Sequence, residues 1–178
     1  MKKSKAMYLA QAAMIAALYV VLTYLANALG LANYAIQVRF SEALTILPFF
    51  TPYAIPGLFV GCLLANLLTG AILPDIIFGS LTTLVAAFLT YGIRRLAEKK
   101  SGNGTYGKIA PWLGVIPPIV LNMIVVPLVL AYGYHLEGTI PFFMLTVGAG
   151  EVASCGILGM LLFYSLRKNA TRLFGEFS

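Results

Sequence analysis

Two charged residues interrupt an otherwise apolar stretch. They are Arg39 and Glu42, in the segment IQVRFSEALTILPFF, Ile36 to Phe50. Three residues apart, they share one face of a helix and can pair with each other. Three more carboxylates, Asp75, Glu137 and Glu151, stand within or beside other apolar runs. Glu151 lies ten residues beyond Pro141, roughly 15 Å along a helix at about 1.5 Å per residue. A charge at that depth is costly, and such residues usually face a protein interior or cavity. No basic residue near Glu151 in sequence neutralises it. Asn66 and Asn122 add amides, and Tyr34, Phe40, Tyr132, Tyr134, Phe142 and Phe143 add aromatic surface. Apolar and aromatic walls with a few convergent polar groups make a binding pocket. This one is too acidic for an anion and suits a planar heterocycle with N–H donors and a positive tail. Each residue also has a structural reading. The asparagines serve as interhelical hydrogen-bonding groups. Asp75, after Pro74, favours a helix start, and His135 and Glu137 read as loop residues.

The elements that must position these groups are membrane helices. The chain has 178 residues, 60% hydrophobic and 10% charged, with mean hydropathy +0.90. An ordinary soluble domain is about 25% charged. A spanning helix needs about 20 mostly apolar residues, and Met7–Leu29, Ile76–Ile93, Ile109–Tyr134 and Pro141–Leu166 qualify. Phe40–Phe50 and Gly57–Thr69 are shorter. Pro48, Pro52 and Pro56 fall at intervals of four, and FFTPYAIPG reads as a tight turn between the second and third helices. The expectation is one all-α integral membrane domain over residues 1–178, with six transmembrane helices.

Basic residues gather on the cytoplasmic side of membrane proteins. Six spans with both termini cytoplasmic put every lysine and arginine except Arg39 inside. The net charge of +6 is thereby topological, and no nucleic acid is needed to explain it. The outer side then carries Glu42, Asp75, Glu137 and Glu151 against Arg39 alone. Glu98 and Glu176, among the inner charges, are expected to be solvated, and Glu98–Lys108 to form an inner loop. The N-terminal apolar run exceeds the roughly 7–15 residues of a signal-peptide core, so it is read as a retained helix.

Several chemistries are excluded or disfavoured. There is no G-x-x-x-x-G-K-[ST] segment, hence no Walker nucleotide site. A single histidine, His135, excludes the H-E-x-x-H zinc motif. Cys62 and Cys155 lack metal-type spacing and read as small core residues. We expect no enzyme activity, no cofactor and no bound metal.

The first helix has a further pattern. Ala6, Ala10, Ala13 and Ala17 follow one face, flanked by Ala12 and Ala16. Small residues at this spacing let another helix approach closely, whether from the same chain or from a partner.

The segments QVRFSEALTILPFFTPYAIPGLFVGCLLANL (Gln37–Leu67) and LPDIIFGSLTTLVAA (Leu73–Ala87), with Gly150–Glu151, resemble the QueT family. These are substrate-binding S components of energy-coupling factor (ECF) transporters. The resemblance implies six helices in the cell membrane and capture of a queuosine precursor or related 7-deazaguanine. It also implies partners: one transmembrane T subunit and two ATPase subunits, with the S component toppling in the membrane. The alanine face matches the A-x-x-x-A docking signature of such proteins. Glu151 or Glu42 would then read the guanine edge and Asp75 the amine. Asn66, Asn122 and Arg39 would orient the ligand beside Tyr134. Alternatives left open are an S component for another vitamin such as thiamine, a proton-coupled transporter using Glu151, and an assembly subunit without ligand.

Overall fold

The computed structural model describes residues 5–31, 38–101 and 106–174. Among these residues every regular element is helical. In chain order they are α1 (Lys5–Ala28), a 3-10 helix (Phe40–Phe49), α2 (Ala54–Leu68), α3 (Asp75–Ser101), α4 (Ala110–Gly133), α5 (Ile140–Leu166) and a short α6 (Ala170–Phe174). Four of them, α1, α3, α4 and α5, are long and apolar enough to cross a membrane. The 15 residues of α2 reach about 22 Å at about 1.5 Å per residue, short of a roughly 30 Å hydrocarbon core. Large apolar side chains cover the outside: Leu9 is 73% exposed and Leu145 75%. So much exposed apolar surface is stable only in lipid or against a partner.

The 3-10 helix is the centre of the molecule. Runs of this kind longer than three or four residues are uncommon, and this one has ten. It packs against α1, α2, α3, α4 and α5, and eight of its ten residues are buried. Leu44, Ile46, Leu47 and Phe49 supply the apolar surface that such burial favours, while Ser41, Glu42 and Thr45 are buried polar residues of the same helix. In an α-helix the ring of Pro48 would clash with the carbonyl of Leu44, which disfavours the α form here.

Two boundaries differ from the sequence expectation. The proline-rich turn ends at Tyr53, and α2 begins at Ala54 rather than Gly57. Pro56 fits inside its first turn because backbone N–H groups there have no intrahelical acceptor. The third helix, α3, does not stop at Arg94 and Arg95 but continues to Ser101. The extension explains Glu98, which is not solvated as expected: its side chain is 15% exposed. It accepts from Arg94 Nε at 2.8 Å and lies 4.0 Å from Arg95 Nη1.

The α1–α2 contact is set by glycine. A Cβ on Gly57 would lie 2.7 Å from the carbonyl oxygen of Ala12. One on Gly61 would lie 2.7 Å from Tyr19 Cβ and 3.0 Å from Ala16 Cα. Gly57 and Gly61 therefore form a small-xxx-small seam into which α1 settles. That approach brings Tyr19, buried at 1% exposure, up to the 3-10 helix and the polar site beside it.

Candidate functional site

Five of the seven expected ligand-binding residues line a single cleft: Arg39, Glu42, Asp75, Asn122 and Glu151. They come from four elements. Arg39 and Glu42 stand at the start of the 3-10 helix, Asp75 opens α3, Asn122 is mid-α4 and Glu151 is mid-α5. Cys62, Thr83, Val126 and Val147 complete the walls. Glu42, Asp75, Asn122 and Glu151 are each buried, at 3%, 6%, 6% and 6% exposure. The other two expected residues stand behind Asp75. Asn66 donates from Nδ2 to the Asp75 carbonyl at 3.3 Å, and the Tyr134 hydroxyl donates to Asp75 Oδ2 at 3.1 Å. Asp75 is thus held on two sides before any ligand arrives.

The long helices are locally widened where they meet this cleft. Asp75–Gly79, Val129–Gly133 and Val152–Leu158 are π-helical. Such turns are rare and gather at functional sites, because the wider turn re-aims side chains. Here one begins at Asp75, one follows Glu151 directly and one leads into Tyr134. The hydropathy pattern carries no sign of them.

Around the two glutamates the bonding is asymmetric. The Tyr19 hydroxyl donates to Glu42 Oε1. The other oxygen, Oε2, is buried and meets no hydrogen-bond partner among the described residues. Glu151 Oε2 accepts from Cys155 Sγ at 3.2 Å. One atom from each of Glu42, Glu151 and Cys155 lies within 4.8 Å of the others. Buried carboxylates this close repel unless a positive or donating group enters between them. The arrangement accepts hydrogen bonds from a cationic or N–H-rich molecule and opposes an anion.

Several side chains play parts that the sequence reading did not assign. Tyr19 was not singled out, although its spacing with Thr23 and Ala26 marks the inner face of α1. The cysteines are more than small core residues, since Cys62 lines the cleft and Cys155 bonds Glu151. The aromatic walls are largely not there. Tyr132 is 70% and Phe142 50% exposed, while Phe143 is buried in a cluster with Leu130 and the wall residues Val126 and Val147 and does not itself line the cleft. Among the described residues the apolar walls are aliphatic. Tyr34 lies outside the described residues.

The alanine pattern on α1 splits. Ala6, Ala10, Ala13 and Ala17 are exposed, whereas Ala12 and Ala16 lie against Gly57 and Gly61 of α2. The first four form an outward smooth face and the other two are internal packing.

Room in the cleft is narrow, about 10 Å³, close to the least that admits one water molecule. A larger ligand enters only if the surrounding helices part.

All-helical architecture, exposed apolar helices and a buried polar site between them define a multi-pass membrane protein. The sequence matches the QueT transporter family over residues 9–168, and the chain belongs to that family. The family is one of transporters, not enzymes. The chain is 37% identical over 111 residues to the queuosine precursor transporter QueT of Lactococcus lactis subsp. cremoris (strain MG1363). That alignment covers 61% of this chain and 64% of the relative, just under two thirds of the relative's length. No solved structure matches the chain.

Proposed function

We propose that this protein imports queuosine precursors, binding a 7-deazaguanine in the cleft between Glu42, Asp75 and Glu151. The observation that carries the reading is the buried Glu42 Oε2, which meets no hydrogen-bond partner among the described residues and stands beside Glu151 in a cleft that also holds Asp75 and Asn122. A guanine-like edge offers two adjacent N–H donors beside a carbonyl acceptor. A carboxylate accepts the donors and Asn122 or Arg39 donates to the carbonyl; charge-assisted bonds of this kind are the stronger class. Glu42 is favoured over Glu151 for the N–H edge because Glu151 Oε2 is already engaged by Cys155. Asp75, held by Tyr134 and Asn66, suits a protonated aminomethyl tail.

In this reading the chain is the S component of an ECF importer, one membrane domain that crosses the bilayer six times. Four long helices and the shorter 3-10 helix and α2 supply the crossings. Both termini lie with the basic residues on the cytoplasmic side. The exposed face of Ala6, Ala10, Ala13 and Ala17 receives the T subunit, which two ATPase subunits energise, and ligand delivery follows toppling. The narrow cleft supports a bound state that differs from the free one by helix movement around the 3-10 core.

Isothermal titration of the purified protein with 7-aminomethyl-7-deazaguanine tests the ligand, and mass spectrometry of co-purifying small molecules tests it without a prior choice. Saturable binding, weakened about ten-fold or more in Glu42→Gln, is the expected result. Thiamine binding with no response to any deazaguanine would assign the cleft to another vitamin.

A further inference from the structure

A second cleft lies at the opposite end of the bundle, between the start of α4 and the end of α5. It is much wider than the acidic one, about 260 Å³, and is lined by Tyr106, Lys108, Pro111, Phe163, Tyr164 and Arg167. Its walls are built. Phe163, 2% exposed, forms part of the wall. The ring of Tyr106 meets Phe49 edge-on at 4.8 Å and Phe163 at 6.3 Å. The Arg167 guanidinium sits 5.6 Å above the centre of the Tyr164 ring. Two cations and two phenols therefore face a partly apolar recess. Among the described residues the nearby carboxylate is Glu98, which is paired with Arg94 and Arg95, and no ion pair of Lys108 or Arg167 is seen among them.

The surroundings indicate which anion. The same end of the bundle carries Lys99, Lys100, Lys168 and Arg172, the concentration of basic residues expected at a cytoplasmic surface. Ile109 (70%) and Trp112 (50%), next in sequence to the lining residues Lys108 and Pro111, are exposed, as is Leu161, three residues before Tyr164. Tryptophan and tyrosine beside basic residues mark the depth of lipid headgroups. Basic recesses between membrane helices on this side bind anionic headgroups. A soluble anion would have no use for the apolar flank, and lipid tails would cover it.

We propose that this recess binds the phosphate group of an anionic phospholipid, with Lys108 and Arg167 neutralising the charge and Tyr106 and Tyr164 donating from their hydroxyls. The acyl chains then lie along Trp112 and Leu161. The site is independent of the acidic cleft and of the substrate.

Native mass spectrometry of the full-length protein in detergent tests it, with phosphatidylglycerol and phosphatidylcholine of matched chains as probes. Phosphatidylglycerol should bind more tightly than phosphatidylcholine. The Lys108→Gln/Arg167→Gln double variant should lose about ten-fold or more of that affinity, the scale set by two basic residues near a membrane surface. The control, Lys99→Gln/Lys100→Gln, removes equal charge from the same end and should change it by less than about two-fold. Circular dichroism should show the same helical content in both variants. Equal losses in the two double variants would reduce the effect to general surface charge and overturn the site. So would equal binding of the two lipids. Displacement of phosphatidylglycerol by excess inorganic phosphate would overturn the lipid assignment in favour of a soluble phosphate anion.

Discussion

Tyr19 donates its hydroxyl to one oxygen of Glu42, and the other oxygen is buried with no hydrogen-bond partner among the described residues. The two residues lie 23 positions apart and meet because Gly57 and Gly61 let α1 settle close to α2. The bond fixes the carboxylate in a cleft that Asn122 and Glu151 also line. A buried acceptor left unpaired costs about 1–3 kcal/mol or more when charged. On the proposed reading, a ligand with N–H donors would relieve that cost.

Glu42→Gln should therefore separate stability from binding. Affinity for 7-aminomethyl-7-deazaguanine should fall about ten- to a hundred-fold, the equivalent of one charge-assisted hydrogen bond of about 1.5–3 kcal/mol. The ligand-free melting temperature should stay level or rise, because a buried charge is removed. Tyr19→Phe should do the reverse to stability, since it leaves both oxygens of Glu42 unpaired. Calorimetry and thermal unfolding on the two variants check both halves; a destabilised Glu42→Gln would contradict the account.

Glu151→Gln should weaken binding at least about ten-fold with the fold intact, because it removes one of the three buried carboxylates that line the cleft. An unchanged titration would take Glu151 out of the site and leave Cys155 as its structural partner.

Gly61→Ala should destabilise the protein by about 1–3 kcal/mol, the range for overpacking a tight contact. The new methyl group would stand 2.7 Å from Tyr19 Cβ. Gly92→Ala is the matched control, with nothing within 4 Å of the added atom. It should be neutral or stabilising, since alanine is the better helix former by about 1 kcal/mol. Thermal unfolding of the pair in detergent decides it.

The two faces of α1 should respond differently to bulk. Leucine at Ala13 or Ala17, both exposed, should leave ligand binding intact. It should abolish co-purification with the T subunit, because a smooth face is what lets helices approach. Leucine at Ala16 should instead unfold or loosen the α1–α2 seam. Normal assembly and transport by the Ala13 and Ala17 variants would show that this face meets only lipid.

Ligand analogues should rank by what the carboxylates can accept. Removing the exocyclic 2-amino group leaves a carboxylate oxygen unpaired and should cost most, about 1–3 kcal/mol or more. The 7-cyano analogue loses only its charged tail; at a wet end of the site that is worth about 0–1 kcal/mol. Competition against the labelled aminomethyl compound should place the cyano compound second and the desamino compound last, with thiamine inactive.

The membrane class, the four long helices and the identity of the unusual polar residues were all legible in the order of the amino acids. Hydropathy is a local property: twenty apolar residues declare a span wherever they are folded, and a carboxylate inside one is conspicuous by its cost. The long central motif pointed to the family for a similar reason, as a contiguous string. What the chain order did not disclose was which groups meet. Glu42 and Glu151 are over a hundred positions apart, and their approach depends on how α5 packs against the 3-10 helix. The π-turns that aim Asp75 and Glu151 leave no periodic trace, because they change one turn in helices that stay apolar throughout. The alanines of α1 show the division most plainly. Ala16 and Ala17 are neighbours of one residue type, set about 100° apart around a helix of 3.6 residues per turn. Only the position of Gly57 and Gly61 on α2 decides that Ala16 is buried in the protein and Ala17 is left facing outward.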